Sequence, residues 1–213
     1  MKKTRVAFLF DNSNNWLESY FEINKIKKNN KFFLKKFHDP NKILKYDIVF
    51  ILGYTKKLSN FFLKKNKLNL VIHESNLPNG KGFSPIQWQL LHGKSKIKIC
   101  LLEAISKIDS GNIILYDYIK FNGTELYNEI RFLQAKATFN IINKFLKIYP
   151  DFKSKVQIGK SSFYSRRNRE DSRLDFNKSI KENFNKLRIA NNKDWPAFFE
   201  YRGKKFILKI YNE

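Results

Sequence analysis

Several features that mark other classes of protein are scarce or absent in this chain of 213 residues. Its single cysteine, Cys100, excludes an intrachain disulfide framework and leaves no cysteine cluster for zinc, which favours a reducing, cytoplasmic setting. No apolar run reaches the ~20 residues that span a bilayer. The N-terminal apolar run stops at Asp11 and Asn12, so we expect a first strand there and not an export signal. No internal repeat is visible.

Acidic residues are also few, with 19 Asp and Glu against 42 Lys and Arg, so the formal net charge is +23. One interpretation is a protein that binds nucleic acid or a membrane surface. The other is a biased codon supply, since Lys, Asn, Ile and Phe are all abundant. The lysines are spread along the whole chain, which favours the second interpretation. We therefore expect neither nucleic acid nor a membrane as partner, although a diffuse positive field attracts a polyphosphate substrate.

Short apolar runs alternate with helix-like segments through the first 150 residues, and the hydrophobic content of 42% predicts a packed core. This alternation predicts an α/β fold, with a Rossmann-like, mostly parallel sheet covered by helices on both faces. The predicted strands are 6–10, 32–37, 47–52, 68–73, 96–102 and 112–118. The predicted helices are 16–26, 58–63, 84–92 and 125–149.

The composition of the sequence changes after Pro150, where a polar segment rich in Arg begins. We expect a short C-terminal helix at 177–188 and a terminal β-hairpin whose strands, 195–201 and 205–211, flank Arg202 and Gly203. The domain prediction is therefore an α/β domain at 1–150 and a C-terminal extension at 151–213. The extension is either a small subdomain or the edge of the same fold.

The stretch 68–88 combines a buried-type strand that ends at His73 with a loop rich in Gly and Pro and a helix that carries Trp88. Loops at the carboxyl ends of the strands of an open α/β sheet form its binding crevice. Asp109 follows about one strand–loop unit later, before a Ser-Gly turn. A carboxylate beside a histidine gives a general acid–base pair near neutral pH. The alternative is that His73 only ends a strand and Asp109 only makes a turn.

These residues resemble the pattern of the formyltransferase family that uses 10-formyltetrahydrofolate. The pattern is Asn-x-His, then Ser-x-Leu-Pro, Gly, Pro and often Trp, followed by Asp-x-Gly. The matching positions here are His73, Ser75, Leu77, Pro78, Gly82, Pro85, Trp88, Asp109 and Gly111. Two C-terminal segments, 166–175 and 189–206, are similar to the tail of the formyltransferase that acts on UDP-4-amino-4-deoxyarabinose. The resemblance covers most of the chain from residue 68 onward.

The resemblance implies that 1–150 is the catalytic domain and that N10-formyltetrahydrofolate is the co-substrate, with no metal. In this family an amine attacks the formyl carbon, and the histidine stabilises the oxyanion that forms. His73 and Asp109 are thus the predicted catalytic residues, with Asp109 orienting His73. The family's asparagine falls on Val71, which cannot donate a hydrogen bond, and losing such a donor costs ~2.7–4 kcal/mol. Asn69, Asn76, a loop amide or the first-loop asparagines are the candidates to replace it, Asn69 being the least favoured.

The resemblance also implies two sets of binding residues. For Trp16 and Trp88 core packing is the alternative, and Arg166 and Arg167 are either surface charges or diphosphate contacts. The predicted substrate-binding residues are Asn12, Asn14, Trp16, Ser75, Lys81, Gly82, Ser84, Pro85, Trp88 and Arg167. The predicted cofactor-binding residues are Leu102, Glu103, Ala104, Ser106 and Asp109, where the folate ring is expected to lie against the main chain.

Three kinds of acceptor compete. A methionyl-tRNA formyltransferase normally carries a further barrel domain, and a glycinamide ribonucleotide formyltransferase lacks the tail and keeps the asparagine. We therefore expect a sugar N-formyltransferase that acts on a nucleotide-linked amino sugar, a UDP- or dTDP-4-amino-4,6-dideoxyhexose, in the synthesis of lipopolysaccharide or other surface glycans. The resemblance also implies a homodimer as a candidate assembly, because members of the family often pair. The hypothesis from another class is a non-enzymatic basic module that binds nucleic acid or other anions, which salt would release steeply.

Overall fold

A computed structural model describes residues 3–12, 15–21, 26 and 31–213. It has ten strands and four α-helices in this part of the chain. The strands are β1 (Thr4–Phe10), β2 (Phe32–Phe37), β3 (Ile48–Leu52), β4 (Leu68–His73), β5 (Lys81–Gly82), β6 (Lys96–Glu103), β7 (Ile113–Lys120), β8 (Phe163–Tyr164), β9 (Ala197–Tyr201) and β10 (Lys204–Leu208). The α-helices are α1 (Asn60–Lys65), α2 (Pro85–Leu91), α3 (Tyr127–Ile148) and α4 (Ile180–Arg188).

Six strands form the central sheet, in the order β2-β1-β3-β4-β6-β7. The pairs β1–β2, β1–β3 and β3–β4 are parallel, whereas β6 runs antiparallel to both of its neighbours. Only β6 therefore opposes the common strand direction of this sheet. The prediction of a mostly parallel α/β sheet is confirmed.

Helices cover both faces of the sheet because its central strands are apolar on both sides. All five residues of β3 are buried, as expected for a strand packed from above and below. Along β1, Phe8 packs in a cluster with Phe145 of α3, and its neighbour Leu9 packs in a second cluster with Phe62 of α1. The alternation along β1 thus assigns α3 to one face and α1 to the other, as predicted.

The predicted helix at 16–26 differs most from the structure. A 3-10 helix spans Asn15–Tyr20, and the Phe21 amide donates to Glu18 O, an i to i−3 bond. The Ser19 hydroxyl also donates to Trp16 O, which competes with the helical backbone bonds. Positions 22–25 lie outside the described residues. The other predicted strands and helices match observed elements within a few residues, including the C-terminal hairpin formed by β9 and β10.

The C-terminal segment folds back onto the α/β core at several points. Strand β8 pairs in parallel with β5, which lies in the loop after β4. The Trp88 indole Nε1 donates to Ser165 O at 2.9 Å, and its ring stacks on Tyr164. The boundary at residue 150 stays a prediction, but residues on its two sides are in direct contact. None of the described helices is long and apolar enough to span a membrane.

A buried ion pair joins α4 to the start of α3. Arg188 Nη2 donates to Glu125 Oε2 at 2.6 Å and Arg188 Nε donates to Glu125 O at 2.9 Å. Both side chains are almost inaccessible, and burial lowers the pKa of Arg188 while the Glu125 carboxylate opposes that effect. Removing one partner of a buried pair leaves an uncompensated charge in a poorly solvated site.

We therefore expect Arg188→Met to lower the free energy of unfolding by ~3–5 kcal/mol. The matched control is Arg173→Met, which removes exposed ion pairs with Glu200 and Glu170 and should cost less than ~1 kcal/mol. Urea denaturation of the three proteins measures both changes. Equal losses for the two variants would contradict the assignment of Arg188 as a structural anchor.

Candidate active site

A cavity of about 780 Å³ opens where β3 and β4 end. This volume lies in the range of pockets that hold a small-molecule ligand. Its walls come from the ends of the two strands, from the loop that follows β6, from α2 and α3, and from the Arg-rich segment after β8. It therefore lies at the carboxyl edge of the parallel strands, where α/β sheets place ligands.

His73, the last residue of β4, is only 5% exposed and lines this cavity. Its Nε2 lies 2.7 Å from Gly80 O, and its Nδ1 lies 3.6 Å from Asp109 Oδ2. A carbonyl oxygen only accepts hydrogen bonds, so Nε2 carries a hydrogen. A proton on Nδ1 would then lie against the Asp109 carboxylate. The structure thus brings the two predicted catalytic residues together in an orientation that suits proton transfer at Nδ1.

Asp109 reaches His73 by a route that the sequence pattern did not indicate. Because β6 is antiparallel, it ends beside the amino-terminal half of β4, where the Ala104 amide donates to Asn69 O at 2.8 Å. The loop 104–112 then returns along the sheet to the carboxyl end of β4. We predicted that His73 and Asp109 lie on neighbouring loops at the carboxyl edge of the sheet. In the structure only the His73 loop begins at that edge, and the Asp109 loop reaches it by folding back.

Three hydrogen bonds fix the tip of this returning loop, where Asp109 has a left-handed φ of 50°. The Gly82 amide donates to Asp109 Oδ2 at 2.9 Å. The side-chain amide of Gln157 donates to the carbonyls of both Asp109 and Gly111, each at 2.9 Å. Gln157 belongs to the C-terminal extension, so that segment helps to hold a predicted catalytic residue. Sequence reasoning did not identify it.

Two glycines are required by close backbone packing around this loop. A Cβ on Gly111 would collide with the carbonyl of Glu103, which closes the loop on itself. At Gly82 the φ of 97° disfavours any other residue, and a Cβ there would collide with the carbonyl of Tyr164. Both glycines belong to the pattern on which the resemblance rests.

Val71 stands in the cavity wall and packs against an apolar group that includes Leu77 and Leu102. Of the proposed substitutes for the missing asparagine, the side chains of Asn12, Asn69 and Asn76 are not among the residues that line this cavity. Asn69 Nδ2 already donates to Leu63 O at 2.8 Å, and Asn76 accepts from Lys98 in an exposed position. Asn12 is exposed away from the cavity lining, and Asn14 lies outside the described residues.

Gln87 on α2 is a further donor that sequence reasoning missed. It is 4% exposed and lines the cavity, and its Nε2 has no hydrogen-bond partner among the described residues. Buried amide groups are normally satisfied, so an unused donor at a cavity wall is a candidate for ligand contact. In the sequence, the only sign that Gln87 belongs to the site was its position less than one helical turn after Pro85, a residue of the family pattern.

One side of the cavity is largely aliphatic and is formed by the predicted cofactor loop, and Lys56 and Lys57 of the loop after β3 also line the cavity. Ala104, Ser106 and Asp109 line it, together with the missed residues Ile105 and Ile108. Leu102 is fully buried beneath, and the Glu103 amide is bonded to Asn112 O at 3.0 Å. Main-chain groups and aliphatic side chains on this side suit a flat, polar-edged ring such as a pteridine.

The other side carries polar and cationic groups. The cavity is lined by five residues predicted to bind the substrate, Trp16, Gly82, Ser84, Pro85 and Arg167, and by Arg166, the other candidate for a diphosphate contact. The missed residues are Glu74, Arg131, Gln134 and Thr138. The Arg131 guanidinium lies 4.3 Å from the centre of the Trp16 ring, so this tryptophan forms part of a cationic wall. Burial lowers the pKa of Arg167, and its Nε has no partner among the described residues.

Three predicted substrate residues are not among those that line the cavity. Ser75 is buried, and its carbonyl accepts from Cys100 Sγ. Lys81 is 4% exposed, and its Nζ donates to Ser110 Oγ at 2.8 Å under the returning loop. Trp88 bonds to Ser165, next to Arg166 and Arg167. These side chains thus support the residues that face the cavity. No group of three or more metal-ligating side chains occurs in the described ranges.

Comparison with known proteins finds relatives along most of the chain. Over 171 residues it is 32% identical to the bifunctional polymyxin resistance protein ArnA of Wigglesworthia glossinidia brevipalpis, covering 78% of this chain and 26% of that protein. It is 32% identical over 181 residues to the methionyl-tRNA formyltransferase of Mycoplasmopsis pulmonis, covering 78% of this chain and 63% of that protein. The chain spans less than two thirds of the length of these relatives.

Solved structures share the fold at lower identity. The methionyl-tRNA formyltransferase from Clostridium thermocellum matches with a TM-score of 0.80 at 19% identity, over 100% of this chain and 94% of that one. A 4-N formyltransferase from Francisella tularensis matches with a TM-score of 0.76 at 16% identity, over 99% of this chain and 98% of that one. HypX from Aquifex aeolicus in complex with tetrahydrofolic acid matches with a TM-score of 0.75 at 18% identity, over 98% of this chain and 38% of that one.

The model of the formyl transferase family matches residues 4–148, which hold the whole central sheet, His73 and Asp109. This match covers more than half of the chain. The protein therefore belongs to the formyl transferase family.

Proposed function

We propose that this protein transfers a formyl group from N10-formyltetrahydrofolate to the amine of a nucleotide-linked amino sugar, such as a UDP- or dTDP-4-amino-4,6-dideoxyhexose. The observation that carries the proposal is the pairing of His73 Nδ1 with Asp109 Oδ2 at 3.6 Å in the wall of a cavity with one apolar and one cationic side. The first side suits a folate ring and the second suits a nucleotide diphosphate. The reaction would supply a formylated sugar to surface glycan synthesis in the cytoplasm.

The folate co-substrate is favoured by the fit of the loop 104–109 and by the fold shared with a tetrahydrofolate complex. When bound, it supplies the formyl carbon that an amine attacks. Ala104, Ser106 and Ile105 would hold its ring through main-chain and apolar contacts. Because Gly80 O holds Nε2 of His73, the Nδ1–H group is the one that would stabilise the oxyanion that develops on the formyl oxygen, and Asp109, 3.6 Å from Nδ1, would orient the ring. Gln87 is our candidate for the donor that Val71 does not supply.

The acceptor side is favoured by three arginines that have no carboxylate within 4 Å in the described part of the chain. These are Arg131, Arg166 and Arg167. Guanidinium groups suit phosphate oxygens because their forked donors match the geometry of a diphosphate. Arg131 also stacks on Trp16, which leaves a flat surface that a sugar or base could contact. A structural neighbour that is a 4-N formyltransferase is consistent with this choice.

A methionyl-tRNA formyltransferase is the second candidate. Several sequence relatives bear that name, and the net charge of +23 would favour an RNA acceptor as well. A basic module without enzymatic activity is the third candidate. Its binding would depend steeply on salt and would not require His73.

The test is an assay with N10-formyltetrahydrofolate against UDP- and dTDP-linked 4-amino sugars, with methionyl-tRNA and glycinamide ribonucleotide as competing acceptors. We expect formylation of at least one amino sugar and none of the RNA. His73→Asn should lower kcat by ~10²–10³ because it removes a donor to the oxyanion. The control is His38→Asn, since His38 pairs with Glu18 outside the cavity. Formylation of methionyl-tRNA alone would contradict the proposal, as would full activity of His73→Asn.

Val71→Asn restores an amide at the position where the family carries one. If Gln87 supplies the missing donor, the added amide should preserve or raise kcat, since it adds a second donor to the same oxyanion. Val71→Leu serves as the control, because it keeps the apolar contacts with Leu77 and Leu102. Steady-state kinetics of both variants measure the change. A fall of ten-fold or more for Val71→Asn alone would show that the site depends on an apolar residue at this position.

A further inference from the structure

Glu74 is a buried carboxylate next to His73 that the mechanism above does not use. It is 9% exposed and lies in the cavity wall. Its Oε1 accepts from Gln134 Nε2 at 2.6 Å. In the part of the chain that the structure describes, no Lys, Arg or His forms an ion pair with it, and no donor bonds to its Oε2. One oxygen of the carboxylate is thus left for a ligand.

A carboxylate in such a position is unfavourable unless something compensates its charge. The neighbouring residues position the group without supplying a cation in contact with it. Arg131 Nη1 donates to Gln134 Oε1 at 2.9 Å, which fixes the amide so that its NH₂ points at Glu74. Arg131 and Gln134 are three residues apart on α3 and share one face of the helix. The arrangement leaves one oxygen of the Glu74 side chain at the cavity wall without a cationic partner from the described part of the chain.

The carboxylate also lies on the acceptor side of the cavity. Glu74 directly follows β4, and its contact with Gln134 places it on the α3 side of the sheet, where Leu70 and Ile72 also pack. His73 follows Val71 to the opposite face, where the Asp109 loop lies. The two groups therefore stand on either side of the end of β4, with the cationic wall on the side of Glu74.

We propose that Glu74 binds the ammonium group of the acceptor and removes one proton from it. This inference rests on the proposed function, because it names how the acceptor amine is recognised. An aliphatic amine is mostly protonated near neutral pH and has no lone pair in that form. A buried carboxylate selects this cation over a neutral hydroxyl and provides a base within contact distance of it.

The proton balance is as follows for an acceptor R–NH₃⁺. One proton moves from nitrogen to Glu74 Oε2 and leaves a neutral amine with a lone pair. The amine nitrogen then forms a bond to the formyl carbon, and the bond between that carbon and N10 of the folate breaks. A second amine proton ends on N10, which gives R–NH–CHO and tetrahydrofolate. Glu74 returns its proton to water.

The experiment measures binding separately from turnover. The probes are dTDP-4-amino-4,6-dideoxyglucose and dTDP-6-deoxyglucose, with the corresponding UDP pair, titrated calorimetrically at pH 7. We expect the wild-type protein to bind the amine at least ten-fold more tightly than the hydroxyl compound. Glu74→Gln should abolish this preference, since it keeps the size and a hydrogen-bonding group but loses the charge. Asp117→Asn, which removes an exposed carboxylate that pairs with Lys144, is the control and should retain it.

A pH profile separates this role from a purely structural one. In Glu74→Gln only the neutral amine reacts, so kcat/KM for the acceptor should rise about ten-fold per pH unit below the pKa of that amine, more steeply than in the wild type. Absence of an amine preference in the wild type, or its survival in Glu74→Gln, overturns the proposal. An amine preference without any formyl transfer would instead contradict the proposed function and leave Glu74 as the ammonium site.

Discussion

The hydrogen bond from the Gly82 amide to Asp109 Oδ2 joins the two loops on which the site depends. One loop follows β4 and carries His73 at its start, and the other returns from the end of β6. Because β6 is antiparallel, the second loop has to run back along the sheet before Asp109 meets His73. Gly82 and Gly111 allow the required close approaches, and Gln157 fixes the returning loop from the C-terminal extension. The predicted catalytic pair is thus held together by the two loops and by the C-terminal extension.

The fold was largely predictable, because a strand that is buried on both faces consists of a short continuous run of apolar residues. His73 and Asp109 were predicted as a catalytic pair because His73 ends such a run, Asp109 precedes a Ser-Gly turn and both fit the family pattern, and the structure places them 3.6 Å apart. The direction of β6 was not, since an apolar run looks the same in a parallel and an antiparallel strand. The places of Lys81 and Trp88 could not be predicted from the sequence either. Their positions in the family pattern suggested substrate contacts, but each side chain forms a hydrogen bond elsewhere and neither lines the cavity.

The residues that sequence reasoning missed share a physical reason. Glu74, Gln87, Arg131 and Gln134 are polar side chains that tertiary packing brings to one cavity from β4, α2 and α3. Nothing in the spacing along α3 distinguishes Gln134 from a surface residue until its contact with Glu74 is known. On the proposed function, these groups give the cavity two chemically distinct sides, an apolar one for the folate and a charged one for the acceptor. The end of β4 separates them.

The most direct test of this account is a crystal structure of the protein with 5-formyltetrahydrofolate, a stable isomer of the co-substrate, and a nucleotide-linked 4-amino sugar. The account predicts the folate ring against the loop 104–109, the formyl group within hydrogen-bond distance of His73, and the sugar amine in contact with Glu74. Diphosphate oxygens should lie on Arg131 or Arg167. Electron density for the folate on the arginine side, or for the amine away from β4, would contradict it.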